Sequence, residues 1–268
     1  MAEPFVLEGK ALHSGQPSRI HVRPGRPDTG VVFDVGGTRI PVSLSAVCSS
    51  PRCTVLRNGI TRVETVEHLL AAFRACGVDN AIVATSNPEM PALDGSALPL
   101  VRELDRVGLA ELEGSARKVL VLKRPVFVTQ NGTKGLAVPF DGFRVTAAVQ
   151  FPEPVGEQVV DYPDVSRAFR ELIAPARTPG FLREWDELKA LGLALGAGPD
   201  NVLPIFDDRY GDELRVPDEV AAHKALDLIG DLALLGAEIR AHITTCRGGH
   251  SLNHAICQAM VENSELEH

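Results

Sequence analysis

His223, Asp227 and Asp231 stand four residues apart in a run from Pro217 to Leu235 that is otherwise rich in apolar side chains. At about 100° per residue the three fall within roughly 80° of arc, so a helix stacks them on one face. Val220, Leu226, Leu228, Ile229, Leu232, Leu234 and Leu235 surround that face. The polar stripe therefore points into a low-dielectric interior, where an unpaired carboxylate is costly. A divalent metal held by His223 and Asp227, with Asp231 orienting a further histidine, would answer the demand for positive charge. A buried histidine and aspartate at this spacing can also simply hydrogen-bond to each other. The spacing leaves both readings open, and a metal needs a third ligand.

The best third ligand is His68, in the segment Val63 to Phe73. Thr65 reads as an N-cap, followed by the apolar stripe Val66, Leu69, Leu70 and Phe73. Glu67 lies beside His68 in the first turn, where a carboxylate next to a metal-bound histidine can serve as general base without occupying the metal. His250 and His254 form another i,i+4 pair, an alternative zinc site for which no third ligand follows. His13, His21 and His242 read as hydrogen-bonded structural histidines. Asp94-Gly95-Ser96 reads as a turn with an N-cap, Asp79-Asn80 as a turn after a Gly77 C-cap, and Gly36-Gly37 as a hairpin turn; no phosphate-binding glycine motif occurs.

Several of these segments together resemble a known family. Glu67-His68 with its flanks, His223-Lys224 with Asp227, and Gly249-His250-Ser251-Leu252-Asn253 are similar to the zinc-dependent UDP-3-O-acyl-N-acetylglucosamine deacetylases of lipid A synthesis. Leu12-His13-Ser14-Gly15, Gly77-Val78-Asp79-Asn80, Pro88 to Ser96, Ala176-Arg177-Thr178 and Asp200-Asn201 recur in that family's order, so the likeness runs from about residue 7 to residue 260. The resemblance implies a metal held by His68, His223 and Asp227, with zinc expected and iron(II) an alternative. It implies Glu67 as base, His250 as a cationic acid supported by Asp231, and Thr178 facing the oxyanion. It also implies Lys224, Arg247 and Phe151 as substrate-binding residues, Arg247 standing where a lysine is usual.

Composition fits that expectation and narrows it. The 268 residues are 44% apolar and 23% charged, ordinary values for a globular chain. A net charge of -8 with no basic cluster argues against nucleic acid as partner. The start of the chain lacks the basic and apolar regions of a secretory leader, and no apolar run approaches the roughly 20 residues that span a bilayer. Five cysteines in no framework spacing suit a reducing compartment, so a cytoplasmic protein is expected; a monomer is expected too, and the resemblance implies a small UDP-sugar as its substrate. Cys76 and Cys257 read as core thiols. Cys53 matches a cysteine that lies near the metal in some family members, and a plain buried thiol is the competing reading.

Positioning these residues takes two halves of similar make-up. Strand-like runs at 5–7, 19–23, 31–33, 39–42 and 53–57 precede a helix over 66–76, a strand near 81–84 and a helix over 97–107. After a linker at Gly114-Ser115-Ala116, strand-like runs return at 118–122, 125–128 and 143–149, followed by helical stretches near 165–173, 181–191, 217–235 and 250–262. The pattern predicts an α+β fold of two similar sheet-plus-helix domains, residues 1–114 and 118–263. Their helical layers would pack between the sheets, with the active site at the domain interface. Residues 266–268 read as a tag remnant.

Departures from the family pattern bear on the substrate. Gly9-Lys10-Ala11 stands in place of a glycine-rich opening, Pro179 replaces an aromatic, and Arg52 stands where an apolar residue is common. Phe181, Leu182, Trp185, Leu188, Leu191 and Leu193 form an apolar stripe, with a strand-like run at 201–206, expected to build a tunnel for an acyl chain; packing on its own domain is the competing reading. The expected activity is removal of acetate from the 2-amino group of a UDP-linked, 3-O-acylated N-acetylglucosamine. The alternatives are a deacetylase for another N-acetylated sugar or sugar nucleotide, and a non-catalytic protein that binds a glycolipid precursor.

Overall fold

The computed structural model describes residues 1–50, 52–113 and 116–267. Alternating burial along the first strands, such as Ile20 and Val22 buried between exposed neighbours, marks a sheet with one face covered. Two hairpins, β1 (Phe5–Lys10) with β2 (Pro17–Pro24) and β3 (Val31–Val35) with β4 (Thr38–Pro41), begin the chain. A small three-stranded sheet follows, made of β5 (Val47–Cys48), β6 (Val55–Asn58) and β7 (Thr61–Glu64). Helix α1 (Glu67–Cys76) then leads to β8 (Ala81–Thr85), which enters between the hairpins, antiparallel to β2 and parallel to β3, and α2 (Leu98–Val107) follows.

The second half repeats this plan. After β9 (Val119–Leu122), the hairpins are β10 (Val126–Gln130) with β11 (Thr133–Val138) and β12 (Phe143–Gln150) with β13 (Glu157–Tyr162). A short helix α3 (Val165–Ala168) precedes an excursion containing β14 (Pro179–Phe181), α4 (Trp185–Ala190) and β15 (Leu203–Ile205). The long α5 (Glu219–Leu232) then leads to β16 (Glu238–Cys246), which enters antiparallel to β11 and parallel to β12, and α6 (His250–Glu262) follows. The strand orders β1-β2-β8-β3-β4 and β10-β11-β16-β12-β13 thus match position for position. This is the mixed α+β fold that the sequence predicts.

Helices α1 and α5 pack on each other between the two halves, and Gly230 sets how closely. A Cβ at that position would stand 2.1 Å from the Glu67 carbonyl oxygen, so only glycine lets α5 approach the first residue of α1. Val220, Ala221, Ala225, Leu226, Leu228, Ile229 and Leu232 are all fully buried, so α5 is covered on every side rather than along one stripe. They belong to one continuous apolar cluster with Leu69, Leu70 and Phe73 of α1 and the inner faces of both sheets.

One local expectation changes, and two others are placed in the fold. Thr65 does not cap α1: Val66 occupies the N-cap position without a side-chain hydrogen bond, and Thr65 turns the chain at φ 59° while its N–H donates to the Thr54 carbonyl. Leu266 and Glu267, set aside as tag, belong to strand β17 (Ser264–Glu267), which pairs antiparallel with β9. In that register Leu266 stands opposite Leu120 and Glu267 opposite Val119, whatever their origin; His268 lies outside the described residues. Of the two readings of the apolar stripe after Thr178, the competing one, packing as core, is not met, since no residue of α4 is buried and Leu191 is 68% exposed. That excursion reaches across to the first half, where Leu195 N–H donates to His13 O and Gly196 N–H to Leu12 O. Of the expected linker, Gly114 and Ser115 lie outside the described residues.

Candidate active site and metal-binding group

Because α1 and α5 cross closely, His68 meets His223 and Asp227. The two imidazole rings stand edge to face with centroids 5.0 Å apart. Asp227 Oδ1 lies 3.3 Å from His223 Nε2 and 3.8 Å from His68 Nε2. Ligand atoms of all three lie within 4.8 Å of one another, the one such group of metal-ligating side chains among the described residues. His223 Nδ1 lies 3.0 Å from the Ala176 carbonyl; donating there fixes the proton on Nδ1 and leaves the Nε2 lone pair facing the group. Lys224 Nζ takes the other Asp227 oxygen at 2.8 Å.

Electrostatics put these three groups in the donor state that a divalent cation requires. Burial, then the neighbouring His223, push His68 down to about 3, and burial likewise lowers His223. Burial alone would raise the Asp227 pKa, but Lys224 and the three facing histidines outweigh it and hold the carboxylate well below its usual range. Two neutral imidazoles and one ionised carboxylate fit a divalent metal with a coordination position left over.

A second cluster adjoins the first through Glu67, the neighbour of His68. Glu67 is buried, and burial raises its pKa to about 7 despite the opposing pull of His250. Its Oε1 lies 3.6 Å from His250 Nε2, and its Oε2 accepts the backbone N–H of Thr54 at 3.1 Å. On the far side of the ring, His250 Nδ1 meets Asp231 Oδ2 at 2.8 Å. Burial works against the imidazolium, but Asp231 and then Glu67 overcome it and raise His250 to about 10. Asp231 is correspondingly held well below its usual value: its own desolvation is outweighed by His250, and Asn253 Nδ2 also donates to Oδ2 at 2.8 Å.

Thr178 reaches the same region from the excursion. Its backbone is pinned between Gly95 O and the Leu203 N–H, each at 2.8 Å, and together with His68 it lines a cavity of about 20 Å³ walled by Leu12, Ile20, Leu69, Met90 and Leu93. The preceding Arg177 is buried and anchored by Glu219 Oε1 at 2.8 Å and Asp212 Oδ2 at 2.6 Å, which fastens this segment to the start of α5. Gly95 sits at φ 80° where a Cβ would stand 2.3 Å from Asn201 O, so the Asp94-Gly95-Ser96 and Asp200-Asn201 motifs pack on each other. The Asx turn expected there is present, with Ser96 N–H on Asp94 Oδ1 at 3.1 Å.

The remaining expected residues are held elsewhere. Arg247 is exposed and donates to Gly132 O at 2.7 Å, at the turn between β10 and β11. Phe151 packs on Phe181 at 4.9 Å between centroids. Cys53 is buried, and burial followed by the Glu67 charge pushes its thiol up to about 12. His254 is not part of a second metal site; its Nε2 faces Thr54 Oγ1 at 3.0 Å and Asp231 Oδ1 at 3.4 Å. Among the other histidines, His13 Nδ1 accepts from Ala194 N–H and His242 meets Thr146, as expected of structural residues, whereas His21 is exposed on β2. Thr54 was not singled out by the sequence, where its one signal is a polar residue opening the apolar run before β6.

Residues 1–262 match the family model described as LpxC: UDP-3-O-acyl N-acetylglycosamine deacetylase. The chain belongs to this deacetylase family. Among curated members of the deacetylase family, UDP-3-O-acyl-N-acetylglucosamine deacetylase of Phenylobacterium zucineum is 43% identical over 267 residues, covering 96% of this chain and 90% of the relative. The enzyme of the same name from Nitratidesulfovibrio vulgaris is 40% identical over 98% of this chain and 87% of its own length, and that from Syntrophotalea carbinolica is 35% identical with the same coverage.

Proposed function

We propose that this chain removes acetate from UDP-3-O-acyl-N-acetylglucosamine, a step of lipid A synthesis, with zinc held by His68, His223 and Asp227, and iron(II) as the alternative metal. The observation that carries this reading is Glu67-His68. One dipeptide at the start of α1 contributes to both clusters, so a carboxylate and a cationic imidazole 3.6 Å apart stand directly beside a three-ligand group. A bound divalent cation supplies Lewis acidity and makes water a stronger acid. Glu67, with its carboxyl near neutrality, accepts the proton of the attacking water. As the water oxygen bonds to the amide carbon, the Thr178 hydroxyl donates to the carbonyl oxygen where negative charge develops. The C–N bond then breaks, and His250 gives its Nε2 proton to the departing amine while Asp231 holds the ring. Acetate and the free 2-amine are the products.

Lys224 keeps Asp227 ionised and turned toward the histidines, and its partly exposed ammonium is available to a substrate oxygen. Arg247, exposed beside the turn between β10 and β11, suits a diphosphate, and Phe151 with Phe181 offers an apolar wall. The half-exposed apolar face of residues 181–195 is suited to an acyl chain. The enzyme acts as a cytoplasmic monomer in this reading. Among the described residues no helix is long and apolar enough to cross a membrane, and all five cysteines are free. Zinc analysis together with Glu67→Ala and His250→Ala tests the assignment: deacetylation must fall steeply in both, and parent rates in both variants would discard the mechanism.

One observation favours a second reading, a different N-acetylated sugar nucleotide. Arg52 ion-pairs with Glu184 at 3.0 Å, placing charge between the first half and the segment before α4, where an apolar residue is common in the family. Comparing acylated with unacylated UDP-N-acetylglucosamine separates the two, since equal rates would remove the acyl site.

A further inference from the structure

Thr54 precedes β6 and is fully buried between the two halves of the catalytic cluster. Its backbone N–H donates to Glu67 Oε2 at 3.1 Å. Its hydroxyl contacts three groups: Asp231 Oδ1, His250 Nδ1 at 3.2 Å and His254 Nε2 at 3.0 Å. A threonine hydroxyl has one proton to give and two lone pairs to receive. The ionised Asp231 can only accept, so the Thr54 proton goes to Asp231 Oδ1. His254 must then present an N–H at Nε2 to the Thr54 oxygen, and this donation orients the hydroxyl.

We infer that Thr54 is a positioning residue for the deacetylation proposed above, tying the general base through its main chain to the general acid through its hydroxyl, with His254 as the residue that aims that hydroxyl. The contacts form a closed ring: the Thr54 N–H to Glu67, Glu67 to His250 Nε2, His250 Nδ1 to Asp231, and Asp231 back to the Thr54 hydroxyl. Each link fixes the next. Asp231 has Asn253 and His250 on Oδ2, and on Oδ1 the Thr54 hydroxyl, with His254 Nε2 further off at 3.4 Å, stops the carboxylate from pivoting and carrying the His250 ring with it. The Thr54 main chain meanwhile stops Glu67 from turning away. The two groups that must face opposite sides of one amide bond are thereby held from a single residue, and small misplacements at such a site are costly.

This inference rests on the proposed deacetylase reading, and its test has one arm that does not. In the zinc-loaded protein, Thr54→Val removes the hydroxyl while keeping shape and the backbone N–H, and Thr54→Ser keeps the hydroxyl. Thr54→Val is expected to lose about ten- to a hundredfold in kcat, with KM and zinc content near the parent's, and Thr54→Ser to stay within about threefold. His254→Ala should show a smaller loss of the same kind, and His254→Gln, whose amide can still donate, should recover part of it. Independently of activity, the Nδ1 proton of His250 in 15N-histidine-labelled protein should be sharp in the parent and in Thr54→Ser, and broadened by exchange in Thr54→Val. Parent kcat in Thr54→Val, or a change in KM alone, would overturn the inference, as would equal losses in Val and Ser variants or an unchanged His250 signal. A folded parent without deacetylase activity, but with the Val-specific loss of that signal, would refute the reaction and leave the ring standing.

Discussion

At the scale of single residues, the candidate site separates its histidines by charge. His68 and His223 are kept neutral by burial, whereas His250 is kept cationic by Asp231 and Glu67 although it is almost as buried. The difference is the carboxylate at Nδ1: His223 has a peptide carbonyl there, and His250 has an ionised aspartate. The rate should rise with pH as Glu67 loses its proton, with a limb at or below about 7 because a bound cation pulls that carboxyl down. It should fall only as His250 loses its proton, toward 10. A kcat/KM profile checks this, and Asp231→Asn should move the alkaline limb down by more than one unit. The same pair has a stability signature. A histidine whose folded value lies above its unfolded one contributes fully below pH 6.5 and loses that contribution as pH rises toward 10. Between pH 7 and 8.5 the unfolding free energy should therefore fall by about 1.4 kcal/mol per unit more in the parent than in Asp231→Asn. Equal slopes in urea titrations would remove the ion pair.

At the scale of elements, what was legible in the sequence follows from helical geometry. The i,i+4 spacing of His223, Asp227 and Asp231 forces one face, and the apolar residues around it force burial; both hold in α5. The partner helix could be recognised but its approach could not, because that depends on Gly230 having no side chain against the Glu67 carbonyl, a contact between residues 163 positions apart. Thr54 was illegible for the same reason: its partners lie 13 to 200 residues away and only the fold makes them neighbours. The failed Thr65 cap has a local cause, since that residue is used to turn the chain from β7 into α1. Gly230→Ala tests the helix crossing. An added methyl must push α1 and α5 apart, costing about 1–3 kcal/mol as an overpacked contact. Metal affinity and kcat should fall together, because His68 moves with one helix and His223 and Asp227 with the other. A variant destabilised by that amount with parental metal affinity would show that the crossing does not set the ligand distances.

At the scale of the whole molecule, the repeated plan explains why the chemistry lies where it does. Each half places a helix before its central strand, α1 before β8 and α5 before β16, and these equivalent helices are the pair that meet at the middle. The apolar cluster runs through both sheets without interruption, so neither half covers its own inner face without the other. A metal taking one ligand from the first half and two from the second would then act as a cross-link in the folded state alone. Ligand present at a hundred times its dissociation constant stabilises by about 2.7 kcal/mol, which for a chain of this length raises Tm by roughly 5–10 °C. Removing metal with a chelator should abolish deacetylation, lower Tm by that amount, and leave a single unfolding transition. His68→Ala should bring Tm close to that of the stripped parent and make it insensitive to added zinc, although the only ligand lost is the one from the first half. If stripping the metal instead split unfolding into two transitions, the halves would have cores of their own and the shared cluster would not be what joins them. A zinc-dependent Tm that survived in His68→Ala would mean that α5 alone holds the cation.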